Sequence, residues 1–426
     1  MLARRDFCVT WALALSISAC QQGERGNHSE GGVPSDQALQ RDARTSAEDP
    51  IRLPATIQDL FRVPPERAVV AMDDVTIGPN GRLEVSPGDI VKFAKGKGLF
   101  VRGGQLMAAG TAVHRIVFTS LADKPSPGDW CGLVFNAGGL PKDRTEPWPG
   151  SVLEHVIVEF AGSPWSPAKH MTKTAGITIA GYLGDQKRPT LAGAVTLNAV
   201  EIRDNKSRGI DAQSDAPVSA REMRFGKNDG VSMTIDVAYA DHVAPAATEP
   251  VELMGTILRT PMSLPAVMVP YVVVETIAVG GWPNDPLAVL TIPRGSTLKF
   301  RKGAGLSSGG YFSGRIEAHG VVFTSAEPEP HPGDWEGIQL SKGGAADFSD
   351  DTFEYAGSNG QPVLDTSARA ATSLEVRTSL FRRNGGPAFG NRVTCERSKI
   401  ASRRNVFEDQ PPCSLKRAAH APRPTD

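Results

Sequence analysis

Two copies of one tetrapeptide hold the acidic residues with the best-defined local setting. Pro127-Gly128-Asp129-Trp130 recurs as Pro332-Gly333-Asp334-Trp335. A carboxylate in this setting could bind calcium or take part in catalysis. The same residues also suit a turn, because Pro fixes φ, Gly accepts a positive φ and Asp bonds its own backbone. Both copies keep the motif while the next residue changes from Cys131 to Glu336, so we interpret it as structural, with the Trp ring laid across the edge of a coil.

Other ionisable residues are weaker candidates for chemistry. Asp73-Asp74 and Asp350-Asp351 could coordinate calcium or serve as two glycosidic carboxylates, but we expect solvated corners. His114 and His319 each precede a predicted buried strand, and neither has a partner at metal-ligand spacing. The sequence therefore predicts no catalytic residue, no metal ligand and no cofactor, with calcium as the alternative.

A lipid-attachment motif lies at the N-terminus. Arg4 and Arg5 precede an apolar run, 9–17, that is too short to span a bilayer permanently. Ile17-Ser18-Ala19-Cys20 then matches the lipobox, in which small residues precede the acylated Cys. We expect the acyl chains on Cys20 to anchor the protein in outer-membrane lipid. Gln21 follows Cys20, and by resemblance to enterobacterial sorting rules this implies the outer membrane. An ordinary cleaved signal with an incidental Cys is the alternative.

The remaining cysteines fit an exported protein. Cys395 and Cys413 lie eighteen residues apart, and in an oxidising compartment we expect a disulfide between them. Cys131 would then be a free thiol. No His or Asn signature marks it as a nucleophile, so we expect a small packed or exposed turn residue.

Composition limits the classes of protein that the chain can belong to. Its 426 residues exceed one ordinary hydrophobic core, and a formal charge of −1 provides no field for nucleic acid. The 44 Gly and 33 Pro residues provide many turns. Residues 20–55 contain few aliphatic side chains, so we expect a disordered tether.

The body of the sequence repeats itself. Six blocks of the first half return in the same order in the second, among them 83–93 in 290–300 and 114–120 in 319–325. Within each half, short apolar runs such as 116–118 recur about every 20 to 25 residues, with Gly, Pro, Asn or Asp between them. Such short strands cannot bury their apolar faces alone, whereas stacked coils give each strand two neighbours.

This pattern resembles the secreted bacterial right-handed parallel β-helix proteins of the pectin-lyase-like fold. The resemblance rests on the run 291–300, the strands 116–120 and 321–325, and the Pro-Gly-Asp-Trp turns. It implies an all-β fold, a right-handed parallel β-helix (solenoid) in two tandem homologous copies. It also implies a disulfide-closed C-terminal cap, which Cys395 and Cys413 would fit.

The predicted domains follow from these features. They are a signal peptide at 1–19, a tether at 20–55, a first copy at 56–245, a connector at 246–270 and a second copy with its cap at 271–426.

Three functions fit this organisation. The favoured one is a lipid-anchored, non-catalytic cell-envelope protein that presents a rigid surface to polysaccharide or a protein partner. The second is a polysaccharide lyase or glycoside hydrolase, for which the residues around Arg382-Arg383-Asn384 are the first place to look. The third is an envelope assembly component without a ligand of its own. The polygalacturonase motifs Asn-Thr-Asp, Gly-His-Gly and Arg-Ile-Lys do not occur in the sequence.

Overall fold

The computed structural model describes most of the chain after the predicted tether. The described residues are 49–65, 68–136, 150–164, 175–180, 194–212, 218–242, 249–281, 286–310, 313–366, 373–390 and 404–413. From Ser46 onward the chain forms one compact unit. Cys20, the predicted signal segment and Cys395 lie outside the described residues, so their assignments remain predictions. In the described part of the chain, no helix is long and apolar enough to cross a membrane.

Short alternating runs form the strands. In Arg82–Val85, Leu83 and Val85 are buried, while the alternate residues Arg82 and Glu84 remain partly exposed. This period of two is typical of a strand with one face in a core. The run ends at a turn in which Gly88 has a φ of 88°, a conformation that costs little only for glycine.

The strands before residue 250 contain two to six residues each. In chain order they are β1 (Ile51–Arg52), β2 (Thr56–Ile57), β3 (Leu60–Arg62), β4 (Val69–Ala71), β5 (Val75–Ile77), β6 (Arg82–Val85), β7 (Ile90–Phe93), β8 (Gly98–Val101), β9 (Gln105–Ala109), β10 (Ile116–Ser120), β11 (Gly132–Asn136), β12 (Ser151–Glu154), β13 (Val156–Glu159), β14 (Ala175–Ala180), β15 (Val195–Asn198), β16 (Glu201–Arg203), β17 (Arg208–Ala212), β18 (Val218–Arg221), β19 (Arg224–Phe225) and β20 (Met233–Asp236).

The strands after residue 250 are similarly short. Its strands are β21 (Val251–Met254), β22 (Ile257–Leu258), β23 (Met262–Ser263), β24 (Tyr271–Val273), β25 (Ile277–Val279), β26 (Ala288–Ile292), β27 (Thr297–Phe300), β28 (Gly305–Ser308), β29 (Gly314–His319), β30 (Val322–Ser325), β31 (Gly337–Leu340), β32 (Gly344–Ser349), β33 (Thr352–Glu354), β34 (Leu364–Thr366), β35 (Ser373–Arg377), β36 (Leu380–Arg382) and β37 (Val406–Glu408). Short 3₁₀ segments lie at Val237–His242 and Ser358–Gly360.

The strands stack in parallel into five sheets, counted over the described residues. Sheet I runs β1-β4-β7-β10-β13-β16-β19, and sheet III runs β18-β15-β12-β9-β6-β3. Sheet II has fourteen strands, in the order β2-β5-β8-β11-β14-β17-β20-β21-β24-β27-β30-β33-β36-β37. Sheet IV runs β22-β25-β28-β31-β34 and sheet V runs β23-β26-β29-β32-β35. Successive strands belong to different sheets and pair with the coil before and the coil after, so the protein is an all-β parallel solenoid.

One column of core side chains follows sheet II from β5 to β37. Each member lies opposite the next in register: Val75, Leu99, Leu133, Ile177, Ile210, Met233, Val251, Tyr271, Leu298, Phe323, Phe353, Phe381 and Phe407. The column becomes aromatic towards its end, where the rings of Phe323 and Phe353 stack with centroids 4.8 Å apart. Stacking equivalent positions gives each apolar side chain the neighbours that one strand cannot provide.

The corners between sheets use left-handed residues and buried amides. His155 and Asp350 each take a positive φ at the corner that precedes β13 and β33. At the corners that follow β13 and β33, side-chain amides accept backbone N–H groups. The side-chain oxygen of Asn205 accepts Ala161 N–H at 2.8 Å, and the side-chain oxygen of Asn384 accepts Ala356 N–H at 2.8 Å. These amides satisfy backbone donors where the ladder is interrupted.

Only one of the sheets continues through the middle of the described unit. β20 and β21 are consecutive strands along the chain and pair directly in sheet II. Sheets I and III end at β19 and β18, while sheets IV and V begin at β22 and β23. The 3₁₀ segment Val237–His242 contacts both β18 and β23. Residues 246–270, expected to be a connector, thus contribute β21, β22 and β23 to the solenoid.

Repeated sequence blocks consequently lie on different sheets. The strand that precedes Trp130, β10, belongs to sheet I, whereas the strand that precedes Trp335, β30, belongs to sheet II. The strands that follow these tryptophans are β11 in sheet II and β31 in sheet IV. Matching segments of the two halves are therefore displaced by one sheet around the solenoid.

Candidate functional site

The Pro-Gly-Asp-Trp motifs form turns whose carboxylates bond within the turn. Asp129 Oδ2 accepts Ser126 N–H at 2.9 Å and the Ser120 hydroxyl at 2.8 Å. In the second motif, Asp334 Oδ2 accepts His331 N–H at 2.9 Å and the Ser325 hydroxyl at 2.6 Å. The preceding glycines have φ angles of 86° and 89°, which explains why Gly is needed there. This arrangement favours the structural role for both Asp residues.

The tryptophan rings lie in the core and not across a coil edge as expected from the sequence. Both Trp130 and Trp335 are completely buried. Trp130 stacks on Phe93 and Trp335 on Phe300, with a centroid distance of 4.2 Å in each pair. The indole N–H groups donate to backbone carbonyls at 2.8 and 2.9 Å, so the polar atom of each ring is satisfied inside the solenoid.

Arg382, Arg383 and Asn384 all form contacts between neighbouring coils. Arg382 pairs with Glu354 at 2.8 Å, and Arg383 donates to the Tyr355 hydroxyl at 2.9 Å. Asn384 makes the corner bonds described above. In the first half, Arg203 forms the equivalent pair with Glu159 at 2.9 Å. The three residues thus act as lateral ties between neighbouring strands.

The remaining sequence candidates do not converge on one centre. Asp351 is 1% exposed and Asp350 binds Arg294, so the expectation of a solvated acidic pair is wrong for Asp351. His319 ends β29 and bonds Ser349 at 2.7 Å, whereas His114 lies exposed in a bend. Across the described ranges, no group of three or more His, Cys, Asp or Glu side chains could hold a metal ion.

The cysteines are placed differently from one another. Cys131 is buried and free, and burial raises the pKa of its thiol, which makes it a poor nucleophile. Cys413 is disulfide-bonded. Its expected partner Cys395 lies outside the described residues, so that pairing remains a prediction.

A cluster of charges surrounds the buried Glu252 where the two halves meet. Glu252 of β21 accepts the Thr234 hydroxyl at 2.8 Å, Arg208 at 3.1 Å and Arg301 at 2.5 Å. Burial opposes its ionisation, but the bonds from Thr234 and Arg301 and the charge of Arg208 hold the pKa of Glu252 below its ordinary value. Glu252 links strands from both sides of the junction, so we interpret the cluster as a tie within sheet II.

The outward face that follows the first Pro-Gly-Asp-Trp turn is apolar. Phe100 and Val134 point outward from β8 and β11, beside Cys131, and these side chains are only 2 to 4% exposed. They form a small hydrophobic cluster separate from the core. This side of sheet II is therefore buried in the first half.

The matching face in the second half is polar and open. Ser307, Gln339 and Asp365 lie opposite one another on β28, β31 and β34 of sheet IV. Ser307 takes the position of Phe100, Gln339 that of Val134, and Glu336 that of Cys131. A cleft of about 260 Å³ opens here, lined also by Thr276, Ser358, Asn359, Gln361 and Pro362.

Glycines shape the floor of this cleft. Gly337 follows Glu336 with a φ of 100°, and a Cβ there would lie 2.5 Å from the carbonyl oxygen of Val363. A Cβ on Gly305 would approach the carbonyl of Gly337 to 2.8 Å. Larger residues would separate the strands, so the glycines keep Glu336 and the floor of the cleft in place.

No protein-family model, curated protein or solved structure matches this chain. The evidence for function therefore comes from the geometry of the described residues.

Two carboxylates on the cleft differ in their surroundings. Glu336 is exposed, whereas Asp365 is partly buried and burial raises its pKa. Amides and hydroxyls surround both groups. Such a site can hydrogen-bond many hydroxyls at once, and the stacked strands hold its donors and acceptors rigidly.

Sequence reasoning did not find this cleft. In the sequence, Glu336 stands out only as the counterpart of Cys131, and no local pattern marks Asp365. One signal is present in the sequence: the outward residues Phe100 and Val134 of the first half are replaced by Ser307 and Gln339 at the matching positions of the second half. A change of the outward residues from apolar to polar indicates that this face is exposed to solvent.

Proposed function

We propose that this chain is a lipid-anchored cell-envelope β-solenoid that binds polysaccharide in the cleft of sheet IV. The observation that carries the proposal is the open row Ser307, Gln339 and Asp365, held in register on three stacked strands. Strands in neighbouring coils are about 4.8 Å apart, so the row offers a polar group at regular intervals to a repeating polymer. The lipobox ending at Cys20 supports the anchor.

The finer architecture that we propose is a right-handed, pectin-lyase-like β-helix of two tandem homologous copies. Its support is the repetition of contacts as well as of sequence. Thr119 binds Glu159 at 3.0 Å, and Thr324 binds Glu354 at 3.0 Å. The two Trp–Phe stacks have equal centroid distances. The displacement by one sheet would then orient the second copy's polar face differently from the first copy's buried face.

A glycan array tests the binding function. Gln339→Ala removes a central polar group from the cleft without touching the core, so we expect weaker glycan binding and an unchanged melting temperature. Glu375→Gln changes a partly exposed side chain on sheet V, outside the cleft, and serves as the matched control. Absence of glycan binding by the wild-type protein, or equal binding by Gln339→Ala, would contradict the proposal.

Glycoside hydrolysis is the second candidate function. Burial raises the pKa of Asp365, as a general acid requires, and Glu336 provides a second carboxylate on the same cleft. A reducing-end release assay on any glycan that binds separates this candidate from plain binding. Release that is lost in both Asp365→Asn and Glu336→Gln would favour hydrolysis.

The anchor has its own test. Cys20→Ala should leave unprocessed or soluble protein, because the acyl chains provide the membrane affinity. If the Cys20→Ala protein still incorporates palmitate and sediments with membranes, the lipid anchor is not at Cys20.

A further inference from the structure

The charge of the cleft restricts the sugars that it can accept. Glu336 and Asp365 are the ionisable side chains among the described residues that line it, and both are acidic. The rest of its polar lining is neutral amide or hydroxyl. A polymer that bears carboxylates would be repelled here, and the energy of that repulsion rises as water is displaced.

The two cleft carboxylates also differ from the acids that form ion pairs between coils. Several partly buried glutamates elsewhere are neutralised by arginine, as in Glu159 with Arg203 and Glu354 with Arg382. For Glu336 and Asp365 no cation of the described residues lies on the cleft. A partly buried carboxylate gains most from a cationic partner, and here the ligand would have to provide it.

The position of these acids is specific to the second half. Cys131 occupies the place of Glu336, and Thr178 occupies that of Asp365, on the apolar buried face of the first half. Neither carboxylate bonds a described side chain that would explain it as a tie between coils, in contrast to Glu252 or Glu354. The two acids therefore occur where this face is open to solvent, and, among the described residues, they do not form contacts that hold the coils together.

We propose that the cleft selects polysaccharide whose sugar rings carry free amino groups. Glu336 and Asp365 bind the ammonium groups, while Ser307 and Gln339 bind ring hydroxyls. This inference rests on the proposed polysaccharide-binding function and names its ligand class. A cleft of about 260 Å³ is slightly smaller than ordinary ligand pockets, which start at about 300 Å³, so it holds only a short segment of the polysaccharide.

The test compares three soluble oligomers by titration calorimetry with the full chain in detergent. They are a glucosamine hexamer, its fully N-acetylated counterpart and an oligogalacturonate of similar length. We expect the glucosamine hexamer to bind at least about tenfold more tightly than the acetylated one, and the oligogalacturonate not to bind. Glu336→Gln and Asp365→Asn should each reduce that preference, while Glu375→Gln should keep it.

Each other outcome decides a separate point. Equal affinity for the amino and the acetylated hexamers, unaffected by Glu336→Gln, overturns the amino-sugar inference and leaves polysaccharide binding intact. Failure of all three oligomers and of the glycan array overturns the binding function itself. A lysine oligopeptide of equal charge that binds as tightly as the glucosamine hexamer would overturn the sugar assignment in favour of a basic peptide.

Discussion

Asp351 shows how one buried carboxyl can make stability depend on pH. It is 1% exposed, its Oδ1 accepts Val321 N–H at 2.7 Å, and its Oδ2 has no hydrogen-bond partner among the described residues. Burial raises its pKa from 3.8 to about 7. The group therefore stays protonated in the folded protein at pH values at which the unfolded chain has already ionised.

We expect the stability of the wild-type protein to fall between about pH 4 and pH 7 through this group. The pKa of Asp351 is higher in the folded than in the unfolded state, so ionisation favours the unfolded state as the pH rises. Above about pH 7 this lowers the free energy of unfolding by at most about 4 kcal/mol. Asp351→Asn keeps an acceptor for Val321 and should remove the decline, as measured by urea unfolding at several pH values. Asp350→Asn is the neighbouring control, because hydrogen bonds from Thr378 and Arg294 lower the pKa of Asp350. A decline of equal size in Asp351→Asn would contradict the assignment.

Trp335 provides a second test at this scale. Its ring is fully buried against Phe300, so Trp335→Ala should leave a cavity and cost about 3 to 5 kcal/mol of unfolding free energy. Trp335→Phe keeps most of the apolar contact and should cost less. Thermal unfolding measures both variants, and a Trp335→Ala midpoint equal to that of the wild type would show that the ring is not packed as described.

Strands and turns were largely predictable, because their signals are local. The alternation in 116–118 and the Pro-Gly-Asp turns depend on neighbouring residues and gave correct strand and turn positions. The cleft could not be predicted in this way. Glu336 and Asp365 lie 29 residues apart in the numbering, and they share a cleft only because β31 and β34 pair in one register. The inward orientation of Trp130 depends likewise on the stacking partner Phe93, which belongs to another coil.

The junction between β20 and β21 should depend strongly on Glu252. Glu252→Gln removes the charge that neutralises Arg208 and Arg301. The pair with Arg208 is largely buried, and breaking such a pair costs roughly 3 kcal/mol. The pKa of Glu252 is lowered in the folded state, so this contribution is present above the ordinary pKa of 4.5 and is lost as the pH falls through the folded value. Denaturant unfolding at neutral and acidic pH measures both effects. The matched Glu354→Gln variant changes a more exposed carboxylate and should cost less, whereas no loss for Glu252→Gln would contradict the proposed tie.

For the whole molecule, the open end of the solenoid needs protection. Phe407 continues the aromatic column at β37, and Cys413 forms an isolated parallel β-bridge with Phe389. If Cys413 is bonded to Cys395, the bridge closes a loop of about nineteen residues and restricts the unfolded chain by roughly 3 kcal/mol. Denatured, non-reduced protein that starts after Cys20, and so lacks both Cys8 and Cys20, should then show one reactive thiol, and its Cys131→Ser variant should show none. Three reactive thiols in the parent protein would exclude the bridge, and reduction should lower the melting temperature if the bridge is present.

Continuity of a single sheet at the junction has a mechanical consequence. Hydrogen bonds between coils run along the solenoid axis, so an axial pull loads each coil interface in series. Between β20 and β21 only sheet II carries backbone bonds across the interface in the described residues, and the Glu252 ion pairs share the load there. Under tension the solenoid should separate first at this interface, and each part would retain its own stacked core.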